Sequence, residues 1–97
     1  MYARVTMGVG KPGSSDESAR IHRDSVAPAC KAQKGFKGLY LFSNAKANKS
    51  MTITLWETEA DMNAAEASGF YQAQVAKFKD VLTAVPVREE YEVVLAP

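Results

Sequence analysis

The 97-residue sequence predicts one α+β domain, residues 1–97, in which a four-stranded antiparallel sheet carries two helices on one face. Three observations predict this fold. Four short segments alternate apolar and polar side chains with the two-residue period of a strand. Two longer segments have helical spacing and begin with residues that cap helices. The order strand–helix–strand–strand–helix–strand, with right-handed crossovers, puts both helices on the same face in a ferredoxin-like βαββαβ arrangement.

The first strand is predicted over residues 2–9, and a glycine-rich turn follows it. The spacing of Gly8, Gly10 and Gly13 between a strand and a helix matches a dinucleotide-binding fingerprint. Pro12 stiffens the loop, however, and two acidic residues at the start of the next helix would repel a pyrophosphate. A phosphate-binding loop would also need a lysine that is missing here. We therefore interpret the segment as a turn, and we expect no cofactor.

The first helix is predicted over residues 14–34. Ser14 and Glu17 have the spacing of a capping box at its start. Pro28 removes one backbone donor, which predicts an irregularity in the helix about two residues earlier. Gly35 follows the last helical residue and is suited to end the helix in a left-handed conformation.

The second and third strands are predicted over residues 36–43 and 51–57, joined by a polar connection. Strict alternation would turn one face of the second strand toward the helices, namely Phe36, Gly38, Tyr40 and Phe42. The opposite sheet face would then carry aliphatic side chains, namely Leu39, Leu41, Ile53 and Leu55. Such a face is unusually apolar for a surface in water, so we expect a homodimer formed through the sheet face.

The second helix is predicted over residues 59–82, and the last strand over residues 87–95. Thr58 is suited to cap the free amide groups at the start of the helix. Gly69 is expected to interrupt the helix about midway. In the last strand, Glu89, Glu90 and Glu92 form an acidic patch that we expect to be solvated or to pair with Arg4 or Arg88.

Composition and charge exclude several classes of partner. The formal net charge is +1, from 12 basic and 11 acidic residues, so nothing favours nucleic acid or an anionic membrane surface. No segment resembles a signal peptide or a membrane-spanning helix, and we expect a cytoplasmic protein. Cys30 is the only cysteine, so it forms no internal disulfide. It is better suited to fill space than to act as a nucleophile, and no metal site is predicted.

Two segments resemble a known family. The run from Trp56 to Tyr71, W-E-T-E-A-D-M-x-x-A-x-x-S-x-x-Y, resembles the antibiotic biosynthesis monooxygenase (ABM) domain of the dimeric α+β barrel superfamily. The G-F-x-G of Gly35 to Gly38 is also similar. The resemblance implies a homodimer with a pocket in each subunit, between the sheet and the two helices. Some members of this family are cofactor-independent monooxygenases that oxidise aromatic polyketides, and others degrade heme.

The residues at matching positions depart from both of these activities. Heme-degrading members carry Asn, Trp and His where this chain has Met7, Ala65 and Val75, so heme degradation is disfavoured. Polyketide-oxidising members carry Asn and Tyr where this chain has Thr52 and Met62. The strand tryptophan of that branch is retained.

The candidate site residues follow from the position of the family's pocket. Trp56 is suited either to the core or to stacking on a flat ligand. The predicted ligand contacts are Met7, Tyr40, Phe42, Thr54, Trp56, Phe70 and Tyr71. His22 and Trp56 are the candidate catalytic residues. For His22, a surface or boundary position is favoured over a role as general base, because it lies at the margin of the apolar stripe of its helix.

The sequence therefore predicts an ABM-like protein that binds a small aromatic or apolar compound, with cofactor-independent monooxygenase activity as the candidate reaction. The alternative is a dimeric module without catalytic activity that binds a metabolite or a protein.

Overall fold

The computed structural model describes all 97 residues, from Met1 to Pro97. Four strands form one antiparallel sheet in the order β2-β3-β1-β4, which confirms the predicted ferredoxin-like fold class. The strands are β1 (Tyr2–Val9), β2 (Phe36–Asn44), β3 (Lys49–Trp56) and β4 (Val87–Glu92). The α-helices are α1 (Ser15–Ile21), α2 (Ala27–Lys31), α3 (Glu59–Ala67) and α4 (Phe70–Ala76). We call the sheet side that the helices cover the helix face and the opposite side the open face.

The first helical segment is continuous from α1 to α2 through a π-helical turn, His22–Val26. This turn is the irregularity expected before Pro28, which occupies the first turn of α2, where its missing N–H is tolerated. The helix ends at Lys31 with Ala32 as its C-cap, three residues earlier than predicted, so Gly35 does not cap it. Gly35 does adopt the left-handed conformation, with a φ of 79°, in the turn before β2. The predicted capping box is wrong, because Ser14 makes no side-chain cap and Glu17 pairs with Arg20 instead.

The second helical segment is divided at Gly69, which has a φ of 84°. The Thr58 side chain accepts a hydrogen bond from the Asp61 amide at 3.1 Å, which confirms it as the cap of α3. The segment ends at Ala76, earlier than the predicted residue 82. The following turns nevertheless bring Phe78 and Val81 into the core. Strand β4 ends at Glu92 and not at the predicted residue 95. Glu92 pairs with Tyr2, the first residue of β1, so the residues after Glu92 have no strand partner.

Strand β2 contains a bulge that reverses its predicted faces. Phe36 pairs with Trp56, but Gly38 pairs with Leu55, so Lys37 is an extra residue on β2. Beyond the bulge, Tyr40 pairs with Ile53 and therefore lies on the open face. The assignment of Tyr40 and Phe42 to the helix face is thus wrong, and so is that of Leu39 and Leu41 to the open face.

The core lies between the helix face and the helices, and it is divided into two clusters. One contains Val26, Cys30, Phe78 and Val81. The other contains Trp56, Met62 and Ala65. Two polar side chains, Arg4 and His22, are also buried. No helix is both long and apolar enough to cross a membrane.

Candidate functional site

A cavity lies between the helices and the helix face of the two central strands. Its volume is about 80 Å³. Sites for drug-sized ligands hold roughly 300–1,000 Å³, so this cavity suits a much smaller compound, about the size of a single ring. The side chains that matter for its chemistry are Arg4, His22, Thr52, Thr54, Trp56 and Tyr71.

The floor of the cavity is polar because hydroxyl side chains occupy strand positions that a packed core would fill with aliphatic ones. Strand β3 presents Ser50, Thr52 and Thr54 to the cavity. Its alternate residues face the other way, namely Met51, Ile53 and Leu55. On β1, Thr6 pairs with Thr52 and also lines the cavity. This row of short side chains leaves the space that separates the two core clusters.

His22 lies in the cavity wall and is buried, with 7% of its surface exposed. Its Nδ1 is 2.8 Å from the Ser18 carbonyl oxygen, and its Nε2 is 2.9 Å from Thr52 Oγ1. The ring also packs against Phe78, with 4.5 Å between centroids. Burial lowers the pKa of His22 below its usual value of 6.5, and the hydrogen bond to Ser18 opposes this only in part. The imidazole is therefore neutral at pH 7.

The interpretation of His22 as a surface or boundary residue is wrong. The buried positions of the first helical segment are His22, Val26 and Cys30, at intervals of four residues. Val26 and Cys30 belong to the apolar stripe that the sequence predicts, whereas Ile21, its first residue, is only half-buried. His22 takes the buried position one turn before Val26, which turns the imidazole toward the sheet.

Trp56 closes one end of the cavity. It is 2% exposed, and its ring meets the ring of Phe36 edge to face with centroids 5.7 Å apart. Its Nε1 donates a hydrogen bond to Thr54 Oγ1 at 3.0 Å. Trp56 is therefore a core residue that also lines the cavity.

A network of charged and aromatic groups lies at the cavity edge near β4. Arg4 is 2% exposed, and its Nη2 donates to the carbonyl oxygen of Met62 at 3.3 Å. The guanidinium carbons of Arg4 and Arg88 lie 4.8 and 5.0 Å from the centroid of the Tyr71 ring. The Tyr71 hydroxyl is 3.3 Å from Thr6 Oγ1. Two cations over one ring hold Tyr71 in place by cation–π attraction.

The two arginines of this network are balanced by two glutamates. Arg4 pairs with Glu66 at 3.5 Å and with Glu90 at 3.4 Å. Arg88 pairs with the same two carboxylates. The hydrogen bond from Arg88 is the main reason that the pKa of Glu66 is lowered. The pairing expected between the acidic patch and these arginines is present for Glu90, whereas Glu89 accepts a hydrogen bond from Tyr91 on the open face.

The cavity brings together most of the predicted site residues. His22, Thr54, Trp56, Phe70 and Tyr71 all line it. Three predicted contacts lie elsewhere, on the open face, namely Met7, Tyr40 and Phe42. Tyr40 and Phe42 are displaced by the β2 bulge. Met7 faces away from the cavity because it alternates with Thr6, which faces in.

Several cavity residues were not predicted from the sequence as ligand contacts. Thr52 lies on β3 and Arg4 lies on β1, two strands whose alternation follows the sequence pattern. The row of hydroxyl side chains on β3 is the signal that could have indicated this face of the sheet as the lining of a cavity. Cys30 also lines the cavity, and burial raises the pKa of its thiol to about 11. The thiol is therefore protonated at pH 7 and is unsuited to nucleophilic attack. No group of three or more metal-ligating side chains occurs in the structure.

Several solved structures share this fold. The NE2512 protein of unknown function from Nitrosomonas europaea has a TM-score of 0.79 and 20% identity, covering 99% of this chain and 91% of that one. SnoaB, a cofactor-independent oxygenase from Streptomyces nogalater, has a TM-score of 0.75 and 14% identity, covering 98% and 94%. A candidate antibiotic biosynthesis monooxygenase from Bordetella bronchiseptica has a TM-score of 0.75 and 18% identity, covering 97% of both chains.

The chain therefore has the fold of structures that bear the ABM name, as its resemblance to that family implied. At these identities the likeness establishes the fold and not the activity. No family model matches the chain, and no curated protein sequence does.

Proposed function

We propose that the protein binds a small aromatic compound, about one ring in size, in the cavity between the helices and the sheet. The observation that carries this proposal is the hydroxyl row of β3, which leaves the helix–sheet layer open beside Trp56. A layer that served only stability would be filled with aliphatic side chains, since unfilled space loses dispersion contacts. The apolar walls from Phe70 and Phe78 and the polar floor suit a flat ligand with oxygen substituents.

The binding proposal is tested by titrating hydroquinone and 4-hydroxybenzaldehyde while the fluorescence of Trp56, the only tryptophan, is recorded. We expect saturable quenching. Val75→Phe fills the cavity and should weaken binding by about tenfold or more, which corresponds to about 1.4 kcal/mol. The matched control is Ala76→Phe, which adds a ring at the exposed neighbouring position of α4. Equal binding by both variants would place the ligand elsewhere.

We further propose that the protein acts as a homodimer joined through the open face. Large apolar side chains are exposed on this face, including Tyr40, Phe42 and Val87, which are 57%, 53% and 61% exposed. Ile53 lies between Val5 and Tyr40 in the strand registers, so the apolar surface is continuous across three strands. Its pairing with a second copy would remove this surface from water.

Cofactor-independent oxidation of the bound compound is a second candidate function. It is favoured by the neutral imidazole of His22 in the cavity wall and by the fold shared with SnoaB. In the simplest balanced reaction, one phenol and one O₂ give one quinone and one water. A module that binds without catalysis is the alternative. It is favoured by Met62, which is 1% exposed in the core and does not line the cavity, so it supplies no contact in place of the family's tyrosine.

Oxygen uptake with a panel of phenols and hydroquinones distinguishes these two functions. Oxidation predicts uptake that depends on the protein and is lost in His22→Gln, whereas Trp56→Phe retains part of it. If a phenol binds saturably but oxygen uptake does not exceed the rate measured without protein, the protein is a binding module without catalytic activity.

A further inference from the structure

The hydrogen bonds of His22 define which of its ring nitrogens carries the proton. The carbonyl oxygen of Ser18 can only accept, so Nδ1 donates to it across 2.8 Å. In a neutral imidazole the other nitrogen, Nε2, is then an acceptor. Thr52 Oγ1 lies 2.9 Å from Nε2 and therefore donates its hydroxyl proton to the ring.

No charged group competes for His22 in this arrangement. Burial dominates the lowering of its pKa, and Phe78 covers its ring. The other titratable side chains that line the cavity are Arg4, Cys30 and Tyr71. Arg4 is engaged by Glu66 and Glu90, and the thiol of Cys30 is protonated at pH 7. His22 is thus the one neutral nitrogen base at the cavity wall.

The two threonines of the cavity floor offer a ligand opposite kinds of hydrogen bond. Thr52 donates a hydrogen bond to His22, so its oxygen remains free to accept a hydrogen bond from a ligand. Thr54 Oγ1 already accepts from Trp56 Nε1 at 3.0 Å, so its own proton is left to donate. Residues two apart on one face of a strand are separated by roughly 7 Å. A ring with a hydroxyl at one end and an acceptor at the other spans a similar distance.

We propose that Thr52 and His22 form a proton relay that ionises the phenolic hydroxyl of a one-ring ligand whose opposite end accepts a hydrogen bond from Thr54. The ligand O–H bond breaks as a new Oγ1–H bond forms on Thr52. The original Thr52 O–H bond breaks as an Nε2–H bond forms on His22. The products are a phenolate and an imidazolium, and no electron is transferred. The imidazolium keeps its Nδ1–H bond to Ser18, and its charge stabilises the phenolate. This inference rests on the proposed binding of a small aromatic compound.

The π-helical turn that begins at His22 is consistent with this role. Such turns are rare inside α-helices and often occur at functional sites.

The relay is tested with 4-nitrophenol, whose phenolate absorbs visible light and whose nitro group is an acceptor at the opposite end of the ring. The absorbance of bound 4-nitrophenol is measured against pH, and binding is measured separately from Trp56 fluorescence. In the wild type we expect the ratio of phenolate to phenol to rise about tenfold on binding, a shift of about one pKa unit. Thr52→Val, which keeps the shape of the side chain and removes its hydroxyl, should abolish this shift. Thr52→Ser should restore it, and His22→Gln should abolish it.

4-Nitroanisole, which has no proton to lose, separates failure of the relay from failure of binding. If 4-nitroanisole binds but bound 4-nitrophenol ionises as it does in water, the relay is overturned and the binding proposal stands. If the shift persists in Thr52→Val, the relay is also overturned. If neither compound binds, both proposals fail. Circular dichroism of each variant shows whether a lost shift reflects unfolding, and His22→Gln, which should also abolish the shift, provides the test if Thr52→Val does not fold.

Discussion

Two buried polar residues, Arg4 and His22, distinguish this small core from an ordinary apolar one. Each is satisfied by the protein: Arg4 by a backbone carbonyl and two carboxylates, and His22 by Ser18 and Thr52. Burying such groups is tolerated only with partners of this kind, since a buried polar group left unpaired costs roughly 1–3 kcal/mol when it is neutral and more when it is charged. No buried side-chain nitrogen or oxygen lacks a partner.

The lowered pKa of His22 predicts that stability falls in mildly acidic solution. In the unfolded chain the imidazole takes up a proton near its usual pKa of 6.5, whereas in the folded chain it does so only at lower pH. The unfolded state therefore binds more protons, and the free energy of unfolding decreases as the pH falls below about 6.5. Urea unfolding at pH 7.5 and pH 5.5 measures the decrease.

His22→Gln is the control for this measurement, and its stability should change little between the two pH values. The glutamates with lowered pKa, such as Glu57 and Glu66, start from 4.5 and act only in more acidic solution. An equal loss in the wild type and the variant would assign the effect to another group.

At the scale of elements, glycines and one bulge set the directions in which the sheet and helices face. Gly69 precedes α4 as its N-cap, and its φ of 84° separates α3 from α4. The extra residue in β2, Lys37, turns Phe36 toward the core and Tyr40 away from it. The alternation of β1 and β3 was predictable because neither strand contains a bulge.

Gly69→Ala should destabilise the protein by about 1–2 kcal/mol, because a non-glycine residue is strained in the left-handed region. No heavy atom lies within 4 Å of the position that a Cβ would take, so backbone strain is the only expected cost. Gly69→Asn should cost less, since asparagine tolerates this conformation better. Urea unfolding compares the three proteins, and an alanine variant as stable as the wild type would contradict the assigned conformation.

Deleting Lys37 should destabilise the protein far more than Lys37→Ala. The deletion removes the bulge, so β2 must either shift its register or turn Tyr40 and Phe42 toward the helices. The alanine variant keeps the bulge and loses only an exposed ion pair with Glu57, which contributes little. Thermal unfolding measures both. Similar melting temperatures would show that the strand tolerates either face.

Across the whole molecule, the uncovered side of the sheet is apolar, whereas a one-sided sheet in water usually exposes polar side chains. The covered side carries hydroxyl groups around a cavity, and the uncovered side carries exposed aromatic and aliphatic groups. This distribution is understandable if the covered side binds a ligand and the open face meets a second copy.

Tyr40→Asp should therefore convert a dimer into a monomer, because it puts a charge in the middle of the apolar open face. Light scattering of the wild type should give twice the chain mass at micromolar concentration, and the variant should give the chain mass. Gln72→Asp introduces the same charge at an exposed position of α4 and should leave the dimer intact. A wild-type protein that is monomeric at this concentration would contradict the proposed interface.

The order of the elements, the alternation of β1 and β3, the cap at Thr58 and the glycine turns at Gly35 and Gly69 can all be predicted from the sequence. These features depend on local chemistry: side-chain period, capping oxygens and the conformations open to glycine. The sequence also indicated Trp56 as a wall of the site, through a resemblance of the surrounding residues.

Which side chains meet in the cavity depends on tertiary packing. A single extra residue in β2 places Tyr40 and Phe42 on the open face, and His22 rather than Ile21 takes the buried position one turn before Val26. Both changes rotate side chains without altering the type of element, so neither leaves a clear mark on the hydrophobic period. The hydrogen bond between His22 and Thr52, thirty residues apart, exists only because the helix packs across β3.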